Sequence, residues 1–277
     1  MSGGRSSNLR QRVLSGAVLI AVALALTFAG GIWYRLLAAA ISGAVLYEWL
    51  SMTAPSEATS HRWLAIGLLA ILLALLLGGQ PVSFLLMALG GAVFVTAAHA
   101  VKTGAGYWTT LGLAYAGLLG LSLAGLRGSD APGLSATLFL FAVVWATDIL
   151  AYFVGRAIGG PKLAPSISPG KTWSGAAGGT LAAVAAGMGV AHLLGSPLGL
   201  GAVLALAFAL SVLSQIGDLF ESSIKRRFGA KDSSQLIPGH GGVMDRVDGL
   251  AVAAFALFLL GAVLSGPDAP AAAFFGR

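Results

Sequence analysis

Nine stretches of this chain are apolar over about the 17–25 residues a helix needs to cross a bilayer. They lie at approximately residues 13–31, 33–53, 63–79, 81–101, 108–126, 134–155, 173–195, 198–220 and 249–266. In lipid no water is present to satisfy peptide groups, so helices, which bond their own backbone, are the economical way across. Composition points the same way. Of 277 residues, 57% are hydrophobic and 9% charged, against roughly 25% charged in soluble domains, and the mean hydropathy is +0.88. The expected fold is therefore all-α: a polytopic integral membrane protein with about nine transmembrane helices. Pro81, Pro197 and Pro267 fall at or near segment boundaries, where a missing amide proton matters little. Gly78-Gly79-Gln80 and Gly195-Ser196-Pro197 read as tight turns. The Gly175–Gly179 spacing reads as close helix packing. The chain has no cysteine, which excludes disulfides, thiolate metal sites and cysteine nucleophiles.

The net charge of +6 could suggest a nucleic-acid partner, but the basic residues follow the membrane. With the N-terminus in the cytoplasm, thirteen fall inside: Arg5, Arg10, Arg12, Arg62, Lys102, Arg156, Lys162, Lys171, Lys225, Arg226, Arg227, Lys231 and Arg246. Only Arg35, Arg127 and Arg277 fall outside. That bias is the positive-inside rule, it puts the C-terminus outside, and it removes the case for nucleic acid. The first segment has the basic flank of a signal peptide, yet its length favours a retained anchor. The chain divides into an N-terminal region of about five spans (1–133) and a C-terminal region (134–277) with two long polar inside loops, 156–172 and 221–248. Chemistry is expected where those loops meet.

A charge within the bilayer is expensive, so acids in or beside spans stand out. Asp148 lies inside the sixth span. Asp218 and Glu221 lie at the inner end of the eighth, where Asp218, Ser222 and Lys225 share one helix face. Glu48, near the end of the second span, reads as an acid paired with a loop arginine. Residues 222–249 then concentrate Lys225, Arg226, Arg227 and Lys231, the turn Pro238-Gly239-His240-Gly241-Gly242, and Asp245 with Asp248 at helical spacing. Glycines let backbone N–H groups converge on an anion, and carboxylates beside concentrated positive charge suggest a magnesium–phosphate site. In the other loop, Ser166, Ser168, Lys171 and Thr172 offer hydroxyls and an ammonium, or else a tight turn before the seventh span. Gly170-Lys171-Thr172 is not a Walker motif: Pro165 stands where its first glycine belongs, and no strand is expected before it. His99 and His192 read as isolated, interfacial residues.

Residues 222–248 resemble the hallmark segment of the phosphatidate cytidylyltransferase (CDP-diacylglycerol synthase) family. Ser222, Ile224, Lys225, Arg226, Lys231, Asp232, Ser234, Ile237, Pro238, His240, Gly241, Gly242, Asp245, Arg246 and Asp248 all fit it. The upstream run from Asp148 through Tyr152, Gly155, Arg156, Leu163, Pro165, Ser168, Pro169, Lys171, Thr172 and Gly175 is similar too. The resemblance implies CTP plus phosphatidate giving CDP-diacylglycerol and pyrophosphate, with Mg²⁺ as cofactor and Mn²⁺ as a substitute. It places the active site on the cytoplasmic face of a bacterial inner membrane. Asp218 and Asp245 are the leading metal ligands, followed by Asp248 and Asp148. Lys225, Arg226, Lys231 and Arg246 contact phosphates; Ser222, Ser168, Lys171, Thr172, Gly241 and Gly242 bind substrate. A phosphomonoester has its second pKa near 6, so the lipid phosphate needs no strong base, and His240 is expected to position ligand.

Two rivals are weaker. Asp245 and Asp248-Gly249 begin the pattern of the CDP-alcohol phosphotransferases, but Val252-Ala253 stands where Ala-Arg is required, and the later aspartates are missing. A transporter would place charges near the midplane of several spans and often repeat a half; here the charge gathers in two loops. Beyond CTP, phosphatidate and membrane lipids, the sequence leaves homo-oligomerisation open.

Overall fold

The structure, a computed structural model, describes residues 3–53, 59–237 and 241–276, with side chains from Gly16 onward. Each expected apolar segment lies in a helix: α1 (Gly3–Ala29), α2 (Gly31–Thr53), α3 (Thr59–Leu77), α4 (Val82–Thr103), α5 (Trp108–Arg127), α6 (Ala131–Ile158), α7 (Trp173–Leu193), α8 (Leu200–Arg227) and α9 (Met244–Ser265). A short α10 (Ala272–Phe275) ends the described chain. Among the described residues, α2 to α9 are long and apolar enough to span a bilayer, while the apolar part of α1, Gly16–Ala29, is shorter. The molecule is an integral membrane protein built of helices.

The polar segments depart from the expected loops. Helices α6 and α8 have 28 residues each, about 42 Å at 1.5 Å per residue, so each is longer than a hydrocarbon core of about 30 Å. Lys225, Arg226 and Arg227 are therefore helical rather than in a loop, and 228–243 is all that remains between α8 and α9. Residues 162–172 are not irregular either. Strand β1 (Lys162–Ala164) pairs antiparallel with β2 (Ser168–Thr172), so a strand does precede Gly170-Lys171-Thr172. Those three residues are themselves part of a strand, which still excludes a phosphate-cradling loop of the Walker kind.

The chain forms two compact units: Met1–Leu121 with Phe228–Arg246, and Ser122–Arg227 with Val247–Arg277. In the first, α2 packs on α5 through small residues and aromatic rings. Ser42 donates to the Ala116 carbonyl at 2.7 Å, the Trp49 indole N–H to the Trp108 carbonyl at 2.8 Å, and Trp49 stacks on Tyr115. Arg35 reaches the last carbonyls of α3 at Leu76 and Leu77, groups a helix C-terminus leaves without partners. His99 is not isolated: its Nδ1 lies 3.1 Å from that of His61, and the rings stack in parallel.

In the second unit, α6 and α7 approach closely along a stripe of small residues. Gly175, Gly179, Ala183, Gly187 and Ala191 are the buried positions of α7, one every fourth residue. A methyl on Gly179 would stand 2.6 Å from the Thr147 carbonyl oxygen, and one on Gly175 2.7 Å from that of Ala151. The glycine spacing in α7 is a packing device. Below it, Thr147 donates to Ser211 at 2.8 Å, Ser211 to Thr180 at 3.2 Å and Gln215 to Thr180 at 2.9 Å, which lace α6, α7 and α8 with hydroxyls. Gly179→Leu should lower the thermal midpoint of the detergent-purified protein, at a cost of about 1–3 kcal/mol for overpacking. Gly189→Leu, where nothing lies within 4 Å, should leave the midpoint unchanged.

Candidate active site

Each unit carries one half of the residues the sequence singles out. In the first, the connection 228–243 folds back on a single carboxylate. Glu48, 0% exposed on α2, accepts hydrogen bonds from the Ser233 hydroxyl at 3.0 Å, the Ser234 hydroxyl at 2.7 Å, the Val243 amide at 2.8 Å and the Met244 amide at 2.7 Å. The acid read as an arginine partner is instead held by two hydroxyls and two peptide groups. Their chemistry explains the choice: a carboxylate offers about four acceptor sites and no donor, and the first amides of α9 have no intrahelical partner.

Asp245 does the same one turn on. Its Oδ2 accepts from the Ser233 amide at 2.9 Å and the Gly242 amide at 2.8 Å, and lies 3.0 Å from the Ser233 hydroxyl, whose single proton it shares with Glu48. The Ile237 amide meets the Gly241 carbonyl at 2.8 Å, closing the two limbs of the connection. Pro238, Gly239 and His240 lie outside the described residues, so the expected role of His240 has no geometry here. Gly241 has a φ of +81°, which glycine adopts at no steric cost. At Gly242 a Cβ would collide with the Ser233 hydroxyl and stand 2.6 Å from both Glu48 oxygens. Packing around Glu48, and not only approach to a ligand, thus requires this glycine. Phe228 lies edge-on to Trp108 and ties the start of the connection to α5. Lys231 and Arg246 are exposed on this half.

The second unit holds Asp148, Ser168, Lys171, Thr172, Asp218, Ser222, Lys225, Arg226 and Asp248. The β1–β2 hairpin is fastened to α8 twice. Lys171 forms an ion pair with Asp218, and Arg226 donates to the Ile167 carbonyl at 3.2 Å. The Ser222 hydroxyl, one helical turn from Asp218, donates to it at 3.3 Å. Lys225 is only 8% exposed and pairs with the fully buried Glu221 at 2.9 Å, so its ammonium is held in place as well as charged. Thr172 is buried and caps α7 by accepting from the Gly175 amide at 3.1 Å. It is thus the turn element of its cluster, while Lys171 and Ser168 remain partly exposed. Asp248 accepts from its neighbouring Gly249 amide at 2.7 Å, and the charges of Asp218, Glu221 and Asp148 reach it.

Among the described residues, no three acidic or histidine side chains converge as a ready-made metal cage. That does not conflict with Mg²⁺, which usually takes one or two protein carboxylates and completes its shell with water and substrate oxygens. The donor set around Asp218 and Asp248 is hard oxygen and fits such an ion. The Lys171 ammonium beside Asp218 already shows this carboxylate presented to a cation. Asp245, which shared the leading place with Asp218, lies in the other unit, where Oδ2 organises the 228–243 connection.

The sequence reading passed over Glu48 and Ser233 as site residues. A signal was available: no lysine or arginine stands within four positions of Glu48, so its partners had to come from elsewhere in the chain. Gly242→Ala should reduce turnover at least tenfold in a detergent assay, because the added methyl displaces the Ser233 hydroxyl and the Glu48 carboxylate together. Gly170→Ala, where nothing lies within 4 Å, should behave as the parent.

Comparison with known proteins accounts for both polar segments at once. The model of the "Cytidylyltransferase family" matches residues 10–264. A phosphatidate cytidylyltransferase of Brucella suis is 50% identical over 272 residues, 97% of this chain and 99% of its own length. Those of Haemophilus influenzae and Staphylococcus saprophyticus are 47% identical over 125 residues and 44% over 116 residues, covering 44% and 42% of this chain and 43% and 45% of their own lengths. With one family model running unbroken from before α2 to the end of α9, the chain belongs to the cytidylyltransferase family.

Proposed function

We propose that this protein transfers the cytidylyl group of CTP to phosphatidate, giving CDP-diacylglycerol and pyrophosphate. The observation that carries the reading is the continuous family match across residues 10–264. It takes in the Glu48-bound connection and the hairpin fastened to α8, the two places where a helical membrane protein gathers hydroxyls, amides and cations. The ionised phosphate of phosphatidate attacks the α-phosphorus of CTP. A new P–O bond forms as the bond to the bridging oxygen of the β-phosphate breaks, and pyrophosphate leaves with that electron pair. No proton needs to be removed from the nucleophile, since its second pKa is near 6.

Such a transfer asks the protein mainly for positioning and charge. Lys225 and Arg226 at the end of α8, with Lys231 and Arg246, neutralise the two polyanions that must meet. Lys171, Ser168 and Ser222 supply further donors, the Gly241–Gly242 turn brings backbone amides to the nucleotide, and His240 serves as a donor that orients it. Asp218 and Asp248, with Asp148 and Asp245 as further candidates, would hold Mg²⁺. When bound, the ion would withdraw charge from the phosphate oxygens and stabilise the leaving pyrophosphate. Both polar segments face the cytoplasm of a bacterial inner membrane in this reading, with the N-terminus inside and the C-terminus outside, as the distribution of lysine and arginine supports.

The direct test is conversion of labelled CTP into a lipid-extractable product by purified protein given phosphatidate. A transporter would need sealed vesicles and would leave the label in water. Arg246→Ala should lower turnover at least tenfold with the protein still folded. Lys225→Ala should do so and also lower the thermal midpoint, because it removes the ion-pair partner of buried Glu221. Arg227→Ala should be mild; near-normal turnover in the first two would reduce the basic cluster to a topology signal. Asp218→Asn should lose most activity and be partly rescued by raised Mg²⁺ or Mn²⁺, whereas Asp268→Asn should match the parent. A reporter after Arg277 should appear outside and one near Ser60 inside; finding both on one side would overturn the orientation.

A further inference from the structure

The first five helices carry no residue that the reaction obviously needs, and Glu48 is the exception. We infer that Glu48 is a positioning residue: from α2 it holds together the two limbs at Ser233–Ser234 and Val243–Met244 and thereby sets the fit of CTP. The inference rests on the preceding reading of that connection as part of the nucleotide site. Four donors from two limbs separated by eight residues end on one carboxylate with no exposed surface. Ser233 and Ser234 come from the outgoing limb, and Val243 and Met244 from the return. The turn at Pro238-Gly239-His240-Gly241-Gly242 lies between them in sequence. Ser233 is shared, its hydroxyl lying 3.0 Å from a Glu48 oxygen and 3.0 Å from Asp245 Oδ2. Losing Glu48 therefore also loosens the partner set of Asp245.

A carboxylate is matched to this duty. All four partners are N–H or O–H groups, and a side-chain amide would turn its own N–H groups toward one pair of them. Buried donors left without an acceptor are costly, so the limbs would separate. Bulk packing alone does not demand this residue, since Glu48→Gln preserves size and shape; what changes is acceptor capacity.

The experiment uses full-length Glu48→Gln in detergent with two readouts. Hydrogen exchange of peptides within 231–244 should accelerate at least tenfold, with peptides from α3 and α7 unchanged. In the turnover assay the KM for CTP should rise at least fivefold while that for phosphatidate stays within twofold. A purely structural role would lower the amount of active enzyme and leave both KM values alone, and that result overturns the inference; so does unchanged exchange. If Glu48→Gln does not yield folded protein, Ser234→Ala removes one of the four donors and should show the same selective change at smaller size, and an unaltered KM for CTP there counts equally against it. Should exchange accelerate without any kinetic change, Glu48 is no positioning residue for the reaction. Loss of turnover in Gly242→Ala would then still uphold the connection as part of the site, and its absence would sink that reading as well.

Discussion

A carboxylate with no access to water must be surrounded by donors, and on an apolar helix those donors must come from another part of the chain. This constraint organises the first unit. Glu48 is drawn to the serines of 233–234 and to the first amides of α9, which need acceptors as much as Glu48 needs donors. Apart from Phe228, Ala230, Leu236, Ile237 and Val243, the described part of this connection is glycine, serine, glutamine and charge, so it has little apolar surface with which to fold. It takes its shape from two acids, Glu48 and Asp245, which share the Ser233 hydroxyl and otherwise bind different donors. Gly242 follows from that choice, because only a residue without a side chain fits beside the two acids and Ser233.

The second unit solves the corresponding problem with charge pairs and close packing. The hairpin 162–172 is a single two-stranded unit, too short to be stable alone. To α8 it is attached by the ion pair of Lys171 with Asp218 and the bond from Arg226 to Ile167. Both partners on α8 are residues a phosphate-handling site would use, so the ties that hold the hairpin are made of its chemistry. On the proposed reading, a polyanionic substrate that draws on Lys171 or Arg226 would compete with these ties, which would couple ligand binding to the hairpin without any hinge having to be assumed.

Legibility in the sequence followed physical scale. Spans are set by some twenty apolar residues acting together, and a helix covers most of each of the nine segments. The residues of the two polar segments were readable because charged side chains are only 9% of the chain and cluster there. Secondary structure in those segments was not: the hairpin depends on the pairs with Asp218 and Ile167, and the extension of α8 through Arg227 on the buried Glu221–Lys225 pair. Glu48 was misassigned because its partners lie about 185 to 196 positions away, beyond any periodicity argument. His99 was misread for the same reason: its partner His61 sits on another helix, 38 residues away.

The lengths of α6 and α8 bear on why such chemistry belongs on a membrane protein. At about 42 Å each, these helices exceed the hydrocarbon thickness by roughly two turns. In α8 the last turns carry Glu221, Ser222, Lys225 and Arg226. On the proposed reading these turns lie at the headgroup level, where a cation would meet the phosphate of a lipid at its resting depth and a lipid substrate need not leave the bilayer. The apolar majority of the chain then fixes depth, while a small polar minority fixes chemistry. The buried pairing of Lys225 with Glu221 holds that ammonium in place, so position as well as charge is specified.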